Sequence, residues 1–177
     1  FFDTAMVYGM GVSENALGKA LRDLNVKRDE VFVTTKIPGD FLNPDDIFKS
    51  VDKSIKILGL GYIDGLLAHW PPAWHNYPTY VYAKALEKLV TLGKVRYLGL
   101  SNFPIELVNS FRNSLSKIDI EIFQVRYNLV ERWAEEELIP YAEKNCITIQ
   151  AWSPIAKGAL SGKYTPENLP KFTDVRA

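Results

Sequence analysis

Short apolar runs that end in polar residues recur along this chain at a spacing that strongly restricts its fold. FFDTA carries Asp3, VFVTTK ends in Lys36, and YIDGLLAHW carries His69. The steps from Asp3 to Lys36 and from Lys36 to His69 are 33 residues each, about the length of one strand–helix repeat. If these runs are neighbouring parallel strands, their polar ends meet at one rim, where such folds keep their chemistry.

The apolar runs predict parallel strands that are covered on both faces, because they are nearly continuous rather than alternating. Helical patterns separate them. The first predicted strand ends at Asp3, and the other five cover residues 31–36, 62–68, 97–101, 121–127 and 147–152.

Capping signals place several helices between these strands. Ser13 is predicted as the N-cap of the first helix, and Asn43, followed by Pro44, as the N-cap of the second, which Gly59 ends. Further helices are predicted over residues 80–92, 105–115 and 134–144.

This alternation predicts an α/β fold, a (β/α)8 TIM barrel of which the chain covers about six of the eight strand–helix units. We expect a single barrel domain over residues 1–177, truncated at both ends, because the chain begins inside a strand and ends in a loop-like segment. A doubly wound open sheet is the alternative, and it requires a glycine-rich phosphate turn. Gly9 and Gly11 resemble one, but Glu14 stands where the third glycine belongs, so the glycines are interpreted as shaping a tight loop.

The composition excludes several classes of function. Lys plus Arg and Asp plus Glu both total 21, so no basic excess indicates nucleic acid or an anionic membrane. No apolar run is long enough to span a bilayer, so we expect a soluble, cytoplasmic protein. No Cys/His spacing indicates a metal site, and the single cysteine, Cys146, is expected to be a small buried residue.

Four polar residues, Asp3, Tyr8, Lys36 and His69, could together transfer protons. A phenol ordinarily has a pKa of about 10, so it gives up a proton near neutral pH only where the phenolate is stabilised. An ammonium within about 4–6 Å does this, which makes Lys36 the candidate partner of Tyr8. Asp3 is expected to hold Lys36, and His69 to hydrogen-bond to a substrate oxygen. Each residue alone also fits a loop or surface role, but their joint occurrence at strand ends favours a site.

The chain resembles the aldo-keto reductases in six stretches that keep the family's order: FFDTAMVYGMGVSENALGKAL, VFVTTKI, LLAHWP, GKVRYLGLSNF, FQVRYNL and IQAWSPIAKGALSGKY. The resemblance implies the (β/α)8 barrel and hydride transfer between NADP(H) and a carbonyl or alcohol substrate. It places the catalytic tetrad at Asp3, Tyr8, Lys36 and His69, with Tyr8 as general acid in reduction.

The same resemblance implies five cofactor-binding residues. Ser101 and Asn102 match the pair that hydrogen-bonds to the nicotinamide amide, and Gln124 matches a glutamine that also reaches it. Trp152 falls where the family has an aromatic stacked on the nicotinamide, and Ser153 near the pyrophosphate. The family's segment for the adenosine 2′-phosphate is not matched, so the preference for NADP over NAD is left open. So are the physiological substrate and the oligomeric state.

The aromatic loop that follows His69 is expected to line the substrate pocket, with Trp70 and Trp74 as the candidate residues. Two alternatives to a carbonyl reductase stay open. One is a cofactor-sensing regulatory subunit of the same fold, resembling an ion-channel accessory subunit. The other is a catalytically inactive fragment.

Overall fold

Strands and helices alternate along the whole described part of the chain. The computed structural model describes residues 1–72, 77–165 and 167–168. The strands are β1 (Phe2–Asp3), β2 (Val33–Ile37), β3 (Ile63–Ala68), β4 (Val95–Ser101), β5 (Ile120–Arg126) and β6 (Thr148–Trp152). The helices are α1 (Val12–Asp23), α2 (Pro44–Leu58), α3 (Thr79–Thr91), α4 (Ile105–Ser114) and α5 (Leu138–Lys144).

The chain divides into two compact units, Phe1–Phe123 and the part from Gln124 onward. In the first unit the sheet order follows the sequence from β1 to β5, and in the second β5 lies next to β6. β1 pairs with β2, β2 with β3, and β3 with β4, all in parallel. The prediction of α/β architecture with sequential parallel strands is confirmed, whereas a single domain over residues 1–177 stays a prediction.

The register of the first strands brings the ends of the apolar runs together. Asp3 lies opposite Thr34, and Lys36 lies opposite Leu67, two residues before His69. Both β2 and β3 are buried along their full length, as their continuous apolar runs predicted. The polar residues at their carboxyl ends therefore lie at the same edge of the sheet.

The capping signals of α2 are confirmed. The side chain of Asn43 accepts a 3.0 Å hydrogen bond from the backbone N–H of Asp46, Pro44 is the first helical residue, and Gly59 ends the helix with a φ of 69°. Only a residue that tolerates the left-handed region ends a helix in this way at little cost.

Three local predictions were wrong. Gly11, not Ser13, is the N-cap of α1. The fifth helix begins at Leu138 instead of 134, because Pro140 has no N–H to donate and fits best in a first turn. Cys146 is exposed, in the turn after α5, where its backbone has a φ of 55°.

Among the residues that the structure describes, none of the helices is long and apolar enough to cross a lipid bilayer. The cytoplasmic location stays a prediction.

Candidate active site

The ammonium group of Lys36 is the centre of a cluster at the carboxyl ends of β1, β2 and β3. Lys36 is only 1% exposed, although its side chain carries a charge. Its Nζ donates hydrogen bonds to Asp3 Oδ2 over 2.8 Å, to the carbonyl oxygen of Thr4 over 2.8 Å, and to Tyr8 Oη over 3.2 Å. An ammonium has three protons to donate, so these contacts use all of them.

Asp3 is held by the neighbouring strand as well as by Lys36. Thr34, its register partner on β2, donates from Oγ1 to Asp3 Oδ1 over 2.8 Å. Gly65 leaves room for Thr34, because a Cβ atom at that position would lie 2.6 Å from the Thr34 methyl carbon. The carboxylate is thus fixed by a different partner on each oxygen.

Tyr8 lies in the turn that joins β1 to α1 and stays 40% exposed. Its backbone N–H donates to the carbonyl oxygen of Ala5 over 3.0 Å. Gly9 and Gly11 have φ values of 57° and 95°, so the glycines shape a tight loop, as predicted. Since Tyr8 Oη accepts from Lys36, its own proton is free to be donated to a third group.

His69 follows β3 and packs against both tyrosine and tryptophan rings. Its ring centroid lies 5.7 Å from that of Tyr8 and 4.4 Å from that of Trp70. Burial and the nearby Lys36 charge lower the pKa of His69 from 6.5 to about 4, with Asp3 opposing the shift. The imidazole is therefore neutral near pH 7. Its Nδ1 atom is buried and has no hydrogen-bond partner among the described residues.

Ser101 and Asn102 lie at the end of β4, beside His69. Asn102 Nδ2 donates 3.0 Å hydrogen bonds to the carbonyl oxygen of His69 and to Ser101 Oγ. Ser101 is fully buried, whereas Asn102 is exposed and has a φ of 60°. A hydroxyl and a carboxamide at this rim offer donors and acceptors that suit an amide ligand.

The second unit contains the remaining cofactor candidates. Gln124 is buried in β5, and Trp152 ends β6 with the Arg126 guanidinium 5.3 Å from its ring centroid. Ser153 follows with a φ of 58°, and its carbonyl oxygen accepts a 3.1 Å hydrogen bond from Asn128 Nδ2. The corner that Trp152 and Ser153 form is thus held by the loop after β5.

Of the two candidate substrate residues, Trp70 is half-buried against His69. Gly39 lets this loop approach, because a Cβ atom there would lie 2.7 Å from Trp70 Cδ1. Trp74 lies outside the described residues.

Comparison with known proteins assigns the chain that carries this cluster to a family. The sequence profile described as "Aldo/keto reductase family" matches residues 1–176. The chain belongs to the aldo/keto reductase family. The predicted resemblance is thereby confirmed over nearly the whole chain.

Individual members of the family show how far the similarity extends. The aldo-keto reductase YhdN of Bacillus subtilis is 36% identical over 98% of this chain and 53% of its own length. A probable voltage-gated potassium channel subunit beta of Oryza sativa is 32% identical over 96% of this chain and 55% of its own. The crystal structure of an aldo/keto reductase from Klebsiella pneumoniae, in complex with NADP and acetate, has a TM-score of 0.80 at 28% identity and covers 90% of this chain and 55% of that one.

The chain therefore spans about half the length of these relatives. The predicted fold class, the (β/α)8 barrel with about six of its eight units present, is confirmed by the structural neighbours of this family member. The roles of the individual site residues stay predictions.

Sequence reasoning missed the residues that hold the cluster together. Thr34 fixes Asp3, and the Thr4 carbonyl oxygen accepts from Lys36. Thr4 directly follows Asp3, and Thr34 stands two residues before Lys36 on the same strand face. That adjacency is the one sequence signal that could have identified them.

Proposed function

We propose that the protein transfers a hydride between NADP(H) and a carbonyl or alcohol substrate, with Tyr8 as the general acid in reduction. The main support for this proposal is the position of Lys36 Nζ, which lies 2.8 Å from the Asp3 carboxylate and 3.2 Å from Tyr8 Oη. A buried ammonium beside a phenol stabilises the phenolate that remains after the proton has left.

The rim of the cluster fits a nicotinamide cofactor. Ser101 and Asn102 would hydrogen-bond to its amide beside His69. The buried Nδ1 atom of His69, which has no hydrogen-bond partner within the described part of the chain, supports a bound polar group near this rim. When bound, the reduced nicotinamide would supply the hydride. Gln124, Trp152 and Ser153 are cofactor candidates through the family resemblance, and the NADP bound in the Klebsiella pneumoniae relative supports that choice of cofactor.

In the reductive direction, the substrate carbonyl carbon would accept the hydride while its oxygen accepts the proton of Tyr8. Tyr8 is exposed enough to meet a small substrate, and its proton is not used on Lys36. Lys36 holds the resulting phenolate, and Asp3 holds Lys36. His69 is neutral near pH 7, so it can hydrogen-bond to the carbonyl oxygen without adding a second positive charge. A proton from water then restores Tyr8.

The test is NADPH oxidation by the protein at its natural length, with a panel of aromatic and aliphatic aldehydes. We expect Tyr8→Phe to lower kcat at least about 100-fold, because it removes the only proposed proton donor. The dissociation constant of NADPH should stay within about two-fold. Tyr80→Phe, at an exposed position on α3, is the matched control and should keep the wild-type kcat. Full activity of Tyr8→Phe would refute the role of Tyr8.

A second candidate is a cofactor-sensing accessory subunit, supported by the similarity to the potassium channel subunit beta of Oryza sativa. A single fast turnover followed by slow release of the oxidised nucleotide would favour this function. Rapid multiple turnover would favour the reductase.

A further inference from the structure

Glu14 is a buried carboxylate at a position where helix packing favours an apolar residue. The buried residues of α1 are Glu14, Gly18 and Leu21, which form one face at helical spacing. Glu14 is only 1% exposed. A carboxylate is costly to bury unless it is hydrogen-bonded, so its place on this face requires a specific partner.

That partner is Thr35 on β2. Thr35 Oγ1 donates a 2.7 Å hydrogen bond to Glu14 Oε1, and both side chains are buried. Thr35 directly precedes Lys36, and successive side chains of a strand point to opposite faces. Thr35 therefore contacts α1 while Lys36 contacts Tyr8. The Glu14–Thr35 bond joins the helix after the Tyr8 turn to the strand that carries Lys36.

A second hydrogen bond involves Ser13, the residue before Glu14, and Thr4, the residue after Asp3. The hydroxyl groups of Thr4 and Ser13 are 2.9 Å apart, and the Thr4 carbonyl oxygen accepts from Lys36 Nζ. The Thr4–Ser13 contact therefore joins the residues before and after the Tyr8 turn, and the Glu14–Thr35 bond attaches the residues after the turn to β2.

The backbone of the turn is held by two short-range hydrogen bonds, from the N–H of Tyr8 to the Ala5 carbonyl oxygen and from that of Met10 to the Val7 carbonyl oxygen, and it buries no side chain. None of the residues Tyr8–Gly11, all described by the structure, is buried, and Met10 is 95% exposed. Gly9, Met10 and Gly11 all have positive φ values, and Met10 pays a steric cost for it. The position of Tyr8 consequently depends on the hydrogen bonds of the residues that flank the turn.

We propose that Glu14 is a positioning residue, which holds Tyr8 against Lys36 through the hydrogen bond from Thr35. This inference rests on the proposed function, because Tyr8 matters to turnover only if it is the acid. Glu14 itself does not touch the substrate or the cofactor in this proposal.

Thr35→Val tests the proposal, because valine keeps the shape of threonine and removes the donor. In the protein at its natural length, kcat for aldehyde reduction should fall at least about ten-fold, since small misplacements of a reacting group are costly. The NADPH dissociation constant should stay within about two-fold, and Thr35→Ser should restore kcat. Thr91→Val is the control: it removes a hydroxyl that donates to the Glu87 carbonyl oxygen, and it should keep the wild-type kcat.

Hydrogen exchange gives a readout that does not need turnover. Amide exchange over residues 8–13 should be faster in Thr35→Val by at least about ten-fold, because the turn loses one attachment. If this variant does not fold, Glu14→Gln tests the proposal instead, since the glutamine amide oxygen can still accept the hydrogen bond from Thr35 Oγ1. We expect it to keep kcat within about three-fold and the wild-type exchange pattern.

The outcomes separate this inference from the proposed function. A folded Thr35→Val protein with wild-type kcat and exchange would overturn the positioning role. A ten-fold or larger loss of kcat in Glu14→Gln would overturn the proposal that Glu14 acts through the hydrogen bond from Thr35, because glutamine keeps that bond. A wild-type protein that does not reduce aldehydes would refute the proposed function, and hydrogen exchange would still test whether Glu14 positions the turn.

Discussion

Asn102 Nδ2 donates a 3.0 Å hydrogen bond to the carbonyl oxygen of His69. The residue proposed to hold the nicotinamide amide is therefore joined directly to the residue proposed to meet the substrate oxygen. A shift of either one would move the other. Cofactor binding and substrate orientation are expected to depend on each other at this rim.

Asn102→Gly should weaken NADPH binding about ten-fold, because it removes one hydrogen-bonding side chain. Glycine takes the positive φ of this position readily, so the backbone is not strained by the change. Titration of the protein with NADPH, followed by fluorescence, measures the effect. Asn25→Gly is the matched control, since Asn25 is also exposed with a positive φ of 51° and lies at the end of α1. Equal affinities in the two variants would contradict a cofactor role for Asn102.

His69 should make the protein less stable in mild acid. Its pKa is about 4 in the folded chain and 6.5 when unperturbed, so the unfolded state binds the proton first as the pH falls. The free energy of unfolding should drop by about 2 kcal/mol between pH 7 and pH 4, after allowance for solvent screening. Denaturant unfolding across this range, with wild type and His69→Gln, isolates the contribution. A wild-type curve that is parallel to the variant's would rule out the shifted pKa.

Asp64→Ala should destabilise the fold strongly and leave the chemistry nearly unchanged. Asp64 is fully buried and accepts hydrogen bonds from Arg28 over 2.6 Å, from Arg96 over 3.2 Å and from the Val33 N–H over 2.9 Å. Removal of one partner from such a cluster typically costs about 3 kcal/mol. Urea unfolding measures the loss, with kcat determined well below the midpoint. Asp23→Ala, which breaks an exposed pair with Lys19, should cost less than about 0.5 kcal/mol.

Glu87→Ala should loosen the attachment of α3 to the loop after α4. Burial alone would raise the pKa of Glu87, but hydrogen bonds from Lys84 and from the N–H groups of Ser116 and Lys117 lower it from 4.5 to about 2. The loss of these bonds is expected to cost about 2 kcal/mol above pH 5. Below pH 4.5 the difference from wild type should shrink toward pH 2, because the carboxylate is protonated in the unfolded state at a higher pH than in the folded state. Glu143→Ala, at an exposed position on α5, should leave the free energy of unfolding unchanged at every pH in the series.

The sequence predicted those parts of the fold that depend on local patterns. Asn43 and Gly59 mark the ends of α2 because capping involves residues within one turn of each other. Ser13 failed as an N-cap because its hydroxyl pairs with Thr4, nine residues earlier, and that contact exists only once β1 and α1 have packed. Cys146 is exposed because it lies in a turn, and the pattern of apolar residues around it does not reveal the conformation of that turn.

The candidate site shows the same division. Asp3, Lys36 and His69 could be predicted to meet because strand ends share an edge of the sheet. The threonines that hydrogen-bond to the site and to α1 could not be predicted in the same way. Thr34 and Thr35 are adjacent in the sequence, yet they contact Asp3 and Glu14 on opposite faces of β2. Only the register of the strands tells these two threonines apart.

Asp64 and His69 stand at opposite ends of β3, five residues apart in the sequence, or roughly 16 Å along a strand. One end carries a charge cluster that stabilises the fold, and the other carries the proposed chemistry. Protein engineering can make use of that distance. The arginine–aspartate end could be redesigned for heat resistance while the substrate-facing end is varied independently, with β3 as a rigid spacer between two separately adjustable regions.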